Sequence, residues 1–232
     1  MGIPAFPSWL NWLAVTSLVA GLISASIIAV DLKRRPQRMA VMNIVWPLTS
    51  LFGGVLWLLF YFRYGRAPQT GDVPMRVAVA KSTTHCGAGC VLGDIVAEWL
   101  AFAQPGIAVW FGWRHLFDEK MFAVWILDLL LAFLFGIAFQ YFAIAGMRHV
   151  SAGKGLVQAV KADAASILAW QIGMYGCMAL LQLLWIRPAY GALAPVDSAP
   201  FWFLMQIAML CGFATSFPVN WLLVRAGVKE KM

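Results

Sequence analysis

Long apolar stretches are the dominant feature of this sequence, and they restrict the folds that the chain can adopt. A helix needs about 20 mostly apolar residues to cross the hydrocarbon core of a bilayer. Six windows meet that requirement: Trp9–Val30, Met39–Phe62, Val91–Phe111, Met121–Ala145, Ala164–Ile186 and Phe201–Val224. Because lipid offers no partner for backbone polar groups, such windows form helices. The sequence therefore predicts an all-α, polytopic transmembrane helical bundle with about six membrane segments.

The composition indicates a single integral membrane domain over residues 1–232. Hydrophobic residues make up 62% of the chain and charged residues 12%, whereas soluble globular chains are roughly 45–50% apolar and about 25% charged. The longest polar interval, from Arg63 to Cys90, is too short to form a second domain. A soluble enzyme, a nucleic-acid-binding protein and a secreted disulfide-rich domain are therefore poor interpretations, and the lipid bilayer is the expected environment.

The second window can cross the membrane or turn back within it, because Pro47 and the pair Gly53-Gly54 interrupt it. If all six windows cross the membrane, ten Lys and Arg residues lie on the side of the two termini and seven on the other side. If the second window is re-entrant, the division becomes 14 to 3. Positively charged loops favour the cytoplasmic side. Both topologies place the Arg63–Cys90 interval and the C-terminus in the cytoplasm.

A group of soft ligands precedes the third window. His85, Cys86 and Cys90 fall within six residues, and a start of the third span at Val91 would place them at a cytoplasmic mouth. The cytoplasm is reducing, so a permanent disulfide is not expected there. Thiolates and imidazoles are ligands of Cu(I) and Zn(II). The three residues predict a site for a copper or zinc ion. Alternatively, they have only a structural role, as small residues that allow tight packing where a helix begins.

Acidic residues continue this pattern into the apolar windows. Cys86, Cys90, Asp94 and Glu98 recur every four residues, so in a helix they form one slowly drifting stripe. Asp128, in the fourth window, is expected at a depth close to that of Glu98. Ionisable residues inside a membrane usually face a pore, a cavity or a partner. We expect Asp94, Glu98 and Asp128 to line a transport pathway, or else to hydrogen-bond between helices.

Other residues within the windows predict packing rather than chemistry. Gly89 and Gly93 form a G-x-x-x-G pair on another face of the same helix, which favours close helix contact. The polar side chains Gln140, Gln171, Gln182, Gln206 and Asn220 are expected to form interhelical hydrogen bonds. The last two windows also contain Met174, Met178, Met205, Met209, Cys177 and Cys211, which we interpret as core filler.

Several segments resemble one bacterial family of polytopic membrane proteins, the domain of unknown function numbered four-three-nine-six. They are Trp46–Thr49 with Gly53-Gly54, His85–Asp94, Phe139–Ala143, Val160–Asp163 and Gly212–Trp221. The resemblance runs from about Asp31 to the C-terminus. It implies a compact multi-span bundle in a bacterial inner membrane, and it implies no activity and no functional residue.

Three functions are compatible with these patterns. The first is binding or transport of a soft transition-metal ion or another cation through the Cys/His mouth and the acidic stripe. The second is a membrane thiol-disulfide redox protein that uses Cys86 and Cys90. The third is an accessory or scaffold subunit, in a homo-oligomer or with other proteins of a membrane complex. The chain has no Walker loop, nucleophile elbow or H-E-x-x-H motif, which favours a role other than catalysis.

Overall fold

The computed structural model describes residues 6–66, 73–147 and 152–229, and its regular structure there is helical. The helices are α1 (Ser8–Arg34), α2 (Met42–Phe60, continued by a π-helical turn at Tyr61–Gly65), α3 (Met75–Ala103), α4 (Gly106–Trp110), α5 (Lys120–Met147), α6 (Ala152–Ala179, continued by a π-helical stretch at Leu180–Ile186), α7 (Arg187–Tyr190) and α8 (Ala199–Arg225). Six of these segments are long and apolar enough to cross a membrane. The predicted all-α polytopic bundle is confirmed.

The second segment folds back on itself. The ring of Trp46 lies 5.4 Å from that of Tyr61 and 5.5 Å from that of Phe60. A straight helix would separate residues 46 and 61 by about 22 Å along its axis. Gly54, between the two arms, has φ 51° and ψ −135°, a backbone conformation that suits glycine. Residues 42–65 therefore form a re-entrant hairpin, the second of the two topologies that the sequence allows.

The hairpin starts and ends at the same end of the bundle and reaches its middle. At the C-terminal end of α1, Asp31 accepts a hydrogen bond from the Tyr61 hydroxyl (2.8 Å) and pairs with Arg66 (2.7 Å). Near the tip of the hairpin, Leu51 contacts Gly21, the midpoint of α1. A Cβ atom added to Gly21 would lie 2.6 Å from the carbonyl oxygen of Leu51. We call the end that holds the C-terminus of α1 the basic end.

Helix α3 is longer than its apolar window. It begins at Met75 and not at Val91, so the prediction of a loop up to Cys90 is wrong. His85, Cys86 and Cys90 are buried inside the bundle, and the prediction that they lie at a cytoplasmic mouth is also wrong. The hydroxyls of Thr83 and Thr84 donate to backbone carbonyls one turn earlier, at 2.9 and 2.8 Å, so these polar groups are satisfied inside the bundle. Neighbouring helices bury these residues, and burial in protein does not require the hydrophobicity that contact with lipid requires.

Close glycine contacts hold α3 against α5, as the G-x-x-x-G pair predicts. A Cβ on Gly89 would lie 2.5 Å from the Cα of Gly136, and one on Gly93 would lie 2.7 Å from the backbone nitrogen of Ala132. The partner residue number falls as the α3 number rises, so the two helices are antiparallel. α3 is the most buried of the apolar segments and α1 the least. α3 is therefore the helix around which the bundle is built.

Candidate functional site along helix α3

A continuous line of buried polar side chains runs along α3, and we call it the α3 column. It consists of Ser82, Cys86, Cys90, Asp94 and Glu98, at intervals of four residues. Ser82 and both cysteines are fully buried, Asp94 is 1% exposed and Glu98 is 6% exposed. The predicted stripe thus exists, and it faces the protein interior along its length. Ser82 extends it toward the basic end by one more turn.

At the basic end of the column, Cys86 belongs to a fully buried group that we call the lysine cluster: Cys86, Asp163, Ser166, Asn220 and Lys229. The Cys86 sulfur lies 2.8 Å from both the Asp163 carboxylate and the Ser166 hydroxyl. Lys229 donates to the Cys86 sulfur at 2.8 Å and to the Asn220 carbonyl at 2.9 Å, and it forms an ion pair with Asp163. The cluster joins α3, α6, α8 and the segment that follows α8.

The charge on Lys229 depends on this environment. Burial alone would lower its pKa, but the Asp163 carboxylate and the Cys86 thiol outweigh burial and raise the pKa above its ordinary value. Lys229 is therefore an ammonium ion at neutral pH. The sequence interpretation missed both charged partners, because Asp163 precedes the fifth apolar window and Lys229 lies in a basic tail.

His85 is fully buried one residue before the column, beside the Gln140 side chain. Neither of its ring nitrogens forms a hydrogen bond of normal geometry with any described residue. Within the described ranges, no three His, Cys, Asp or Glu side chains are placed together so that they could hold a metal ion. The copper or zinc site expected at His85, Cys86 and Cys90 stays a prediction, and Cys86 already contacts Asp163 and Lys229.

Asp94 and Asp128 lie together inside the bundle, whereas the sequence led us to expect Asp128 near the depth of Glu98. Their carboxyl groups are within hydrogen-bond reach of each other, and both side chains are 1% exposed. Asp128 also accepts hydrogen bonds from the Tyr175 hydroxyl (2.7 Å) and the Gln171 amide (3.4 Å). Two carboxylates in contact repel each other, and a proton held between them removes that repulsion. We call these two residues the carboxyl pair.

Apart from the contact between the two carboxyl groups themselves, Asp94 Oδ2 and Asp128 Oδ1 have no hydrogen-bond partner among the described residues. Buried polar atoms are nearly always paired, and an unpaired one calls for an explanation. The carboxyl pair is thus an incompletely satisfied polar group in an otherwise apolar region. Such a group can accept a proton or a cation.

Beyond the carboxyl pair, Glu98 carries the column toward the opposite end of the bundle. It interacts electrostatically with Asp128 and with Lys120, the first residue of α5. Lys120 donates to the Ala101 carbonyl at 2.7 Å and lies 5.7 Å from the Trp113 ring. The column therefore has a lysine at each end and carboxyl groups between them.

The other cysteines also form a contact. The sulfur of Cys177 on α6 lies 3.0 Å from that of Cys211 on α8, and all four cysteines are free thiols. Met174 and Met178 are buried in the core, in agreement with their interpretation as filler. The interpretation of Cys177 and Cys211 as filler missed their proximity, because it depends on how α6 and α8 pack.

Fold and site together define a polytopic helical membrane protein with a buried column of ionisable groups. A sequence-family model described as a domain of unknown function, DUF4396, matches residues 77–229, which is more than half of the chain. The protein belongs to this family. The matched region begins inside α3, so it is shorter than the resemblance from Asp31. It includes every member of the column, the lysine cluster and the carboxyl pair.

No curated protein matches the chain, and no solved structure matches it. The functional interpretation therefore rests on the chemistry of the column.

Proposed function

We propose that the protein moves a cation across a bacterial inner membrane along the α3 column, with the carboxyl pair as the central binding point. The basic end, where α1 ends with Lys33 and Arg34, faces the cytoplasm in this proposal, in line with the preference of Lys and Arg for that side. The observation that carries the proposal is the carboxyl pair itself.

The depth of the pair supports a functional role. Asp94 lies nine residues before the end of α3, or about 13 Å along the helix axis. Asp128 lies eight residues after the start of α5, about 12 Å from the same end. A charged side chain at such a depth costs about 2.5–3.5 kcal/mol or more, and it usually marks an ion or proton pathway. A purely structural hydrogen bond between α3 and α5 would need only one carboxyl group and a neutral partner.

The proton is the cation that best suits this arrangement. The carboxyl pair can hold one proton in a shared hydrogen bond, and Glu98 lies four residues further along α3, about 6 Å away along the axis. A metal ion that has lost its hydration shell would need several converging oxygen or sulfur ligands. Transfer from the pair to Glu98 requires only that a proton leave one carboxyl oxygen and join another, directly or through water.

The lysine cluster closes the basic end of the proposed pathway. Lys229 puts a fixed positive charge beside Cys86, and a cation that travels along the column meets that charge. Passage therefore requires the segment after α8 to withdraw Lys229 from Asp163. This chain would then alternate between a closed state, with Lys229 inserted, and an open state, with Lys229 displaced.

Proton flux into proteoliposomes tests the proposal. The purified protein is reconstituted with an internal pH-sensitive dye, and a potassium diffusion potential drives proton entry. We expect wild-type flux to exceed that of empty vesicles, and Asp94→Asn and Asp128→Asn each to reduce it at least tenfold. Asp197→Asn, in an exposed loop, removes the same charge and should leave the flux unchanged. Wild-type flux equal to that of empty vesicles would contradict transport and favour an accessory subunit.

A soft metal ion is a second candidate cargo, favoured by the unpaired ring nitrogens of buried His85. Copper or zinc would then bind between His85 and the thiols of Cys86 and Cys90. Metal analysis of protein purified without chelators tests this idea. Cys90→Ser should lower the bound metal while Cys177→Ser leaves it unchanged; equal metal in both variants would exclude this cargo.

A further inference from the structure

A groove lies at the basic end of the bundle, between α1 and the second arm of the re-entrant hairpin, and its volume is about 430 Å³. Small-molecule sites typically have volumes of about 300–1,000 Å³. α1 contributes Ile27, Val30 and Arg34 to the wall, and the hairpin contributes Phe62 and Arg66. The groove is therefore large enough for a ligand, and both an apolar surface and two arginines line it.

The two walls of the groove change from apolar to basic in the same direction. α1 and the second arm of the hairpin both run toward the basic end. On α1, Val30 precedes Arg34 by four residues, and on the hairpin the same interval separates Phe62 from Arg66. In each wall, the apolar side chain therefore lies about one turn deeper than the arginine. Ile27, Val30 and Phe62 are exposed on the outer surface of the bundle, which contacts lipid in a membrane. The groove is thus basic at the membrane surface and apolar toward the interior of the bilayer.

Both arginines can donate hydrogen bonds to a ligand. Arg34 is exposed and forms no ion pair with a described carboxylate. Arg66 pairs with one oxygen of Asp31, and its guanidinium lies 5.3 Å from the centre of the Phe62 ring. These contacts hold Arg66 in place, and its side chain is nevertheless 35% exposed. A guanidinium has five N–H donors, so the bond to Asp31 leaves donors for a second anion.

The charge around the groove favours an anion. Asp31 is an acidic residue in the wall, but its two oxygens already accept hydrogen bonds from Tyr61 and Arg66. Residues 31–38 and 63–66 together contain six Lys and Arg and one Asp. Guanidinium groups bind phosphate through paired N–H donors. A phosphate group is therefore a suitable ligand for the basic part of the groove.

The combination of a basic and an apolar part selects among ligand classes. A free phosphate ion would occupy the basic part alone and leave the apolar part without a ligand. An uncharged lipid would cover the apolar part and leave the arginines without an anion, and an organic cation would be repelled by the excess of positive charge. A phospholipid with a net negative charge matches both parts, because its phosphate lies at the membrane surface and its acyl chains extend into the bilayer. Anionic lipids of the cytoplasmic leaflet also attract Lys and Arg.

We propose that this groove binds one anionic phospholipid, with its phosphate between Arg34 and Arg66 and an acyl chain against Val30 and Phe62. The bound lipid connects α1 to the second arm of the hairpin on the outer surface of the bundle. The inference does not depend on the proposed transport function, because the wall of the groove contains no member of the α3 column.

Native mass spectrometry of the purified full-length protein in detergent tests the inference. The probes are dioleoylphosphatidylglycerol, which is anionic, and dioleoylphosphatidylcholine, which has the same acyl chains and no net charge. We expect one phosphatidylglycerol molecule to bind at least tenfold more tightly than phosphatidylcholine. Inorganic phosphate in hundredfold molar excess should not displace the lipid, because phosphate alone makes no contact with the apolar wall. Displacement would identify a site for free phosphate and overturn the inference.

Two matched variants test the basic part of the groove. Arg34→Gln removes the arginine that has no carboxylate partner, so the fold should be preserved while phosphatidylglycerol binds at least fivefold more weakly. Arg38→Gln is the same change at an exposed position of the same end, outside the wall of the groove, and should bind within twofold of wild type. An equal loss in both variants would mean that basic residues attract anionic lipid without a defined site, which contradicts the proposal.

Val30→Trp tests the apolar part of the groove. Val30 is 54% exposed on the surface that contacts lipid, so a larger apolar side chain should fill the groove while the thermal unfolding temperature stays near that of wild type. We expect this variant to lose tight binding of phosphatidylglycerol. Wild-type affinity in Val30→Trp, or equal affinity of the wild-type protein for the two lipids, would overturn the inference.

Discussion

The Nζ atom of Lys229 lies 2.8 Å from the Sγ atom of Cys86, so the segment after α8 is fastened inside the bundle against α3. Both side chains are buried, and Asp163 completes the contact as the counter-ion of the lysine. This relationship explains how a charged residue near the C-terminus can be buried within a membrane protein. It also makes the packing at the basic end of the α3 column dependent on one ion pair.

Lys229→Met should destabilise the protein strongly. Breaking a buried ion pair leaves the other charge uncompensated, which costs about 3–5 kcal/mol. Thermal unfolding in detergent measures the effect, and the double variant Lys229→Met with Asp163→Asn should recover most of the loss. Lys33→Met, on the exposed end of α1, is the matched control and should be within about 0.5 kcal/mol of wild type. A single Lys229 variant as stable as this control would show that the pair is absent.

The same ion pair predicts a pH dependence. Because the pKa of Lys229 is raised in the folded protein, its contribution to stability is complete at neutral pH. That contribution is lost as the pH rises through the folded-state pKa, above the ordinary range for lysine. Unfolding temperatures measured from pH 8 upward should therefore fall more steeply for wild type than for the double variant. Parallel curves would contradict a charged Lys229.

Labelling from outside the cell tests the re-entrant hairpin. Ala40→Cys, before the hairpin, and Arg76→Cys, after it, should react alike with an impermeant maleimide, because the hairpin returns to the same end of the bundle. Asp197→Cys, before α8, should show the opposite accessibility. Unchanged protein gives the background from the four native cysteines. Opposite accessibility of residues 40 and 76 would mean that the second segment crosses the membrane.

Glycine substitutions test the packing of α3 against α5. Gly89→Ala places a Cβ 2.5 Å from backbone atoms of Gly136, so the helices must separate and the unfolding temperature should fall. Gly176→Ala is the same change in α6 at a site with open space, where replacing a helix-interior glycine should stabilise by up to about 1 kcal/mol. Equal effects of the two changes would argue against close contact between α3 and α5.

Oxidation should link Cys177 to Cys211. Their sulfur atoms are 3.0 Å apart, and a disulfide needs only a small further approach. After treatment of membranes with copper phenanthroline, mass spectrometry should recover a linked α6–α8 peptide from wild type and none from Cys177→Ser. A link between Cys86 and Cys90 instead would support the thiol redox hypothesis based on that pair.

The sequence predicts the features of this fold that depend on contact with lipid or on regular spacing along one helix. Apolar windows locate the membrane segments because lipid-facing side chains must be hydrophobic. The four-residue spacing from Cys86 to Glu98 places those side chains on one face, and small residues at 89 and 93 predict a close helix contact. Each of these inferences needs only helical geometry.

The sequence does not predict features that depend on which helices become neighbours. The sequence does not predict the start of α3 at Met75, because the stretch from Val77 to Cys90 carries many polar residues and is covered mostly by protein. Lys229 resembles an ordinary basic tail residue until α3, α6 and α8 are placed around it. The choice between a spanning and a re-entrant second segment likewise required the contact between Trp46 and Tyr61.

Glu98→Gln tests whether the column conducts beyond the carboxyl pair. Glu98 lies between Asp128 and Lys120, and Gln keeps its shape and hydrogen bonding but cannot exchange a proton. In the proteoliposome assay we expect normal assembly with at least tenfold lower flux and a weaker dependence of the remaining flux on pH. Glu119→Gln, which removes a half-exposed carboxylate paired with Arg187, is the control and should conduct as wild type does. Suppose that Glu98→Gln conducts normally at every pH and Asp128→Asn does not. The pathway must then leave α3 at the carboxyl pair. If neither change lowers the flux, the column is a structural hydrogen-bond network.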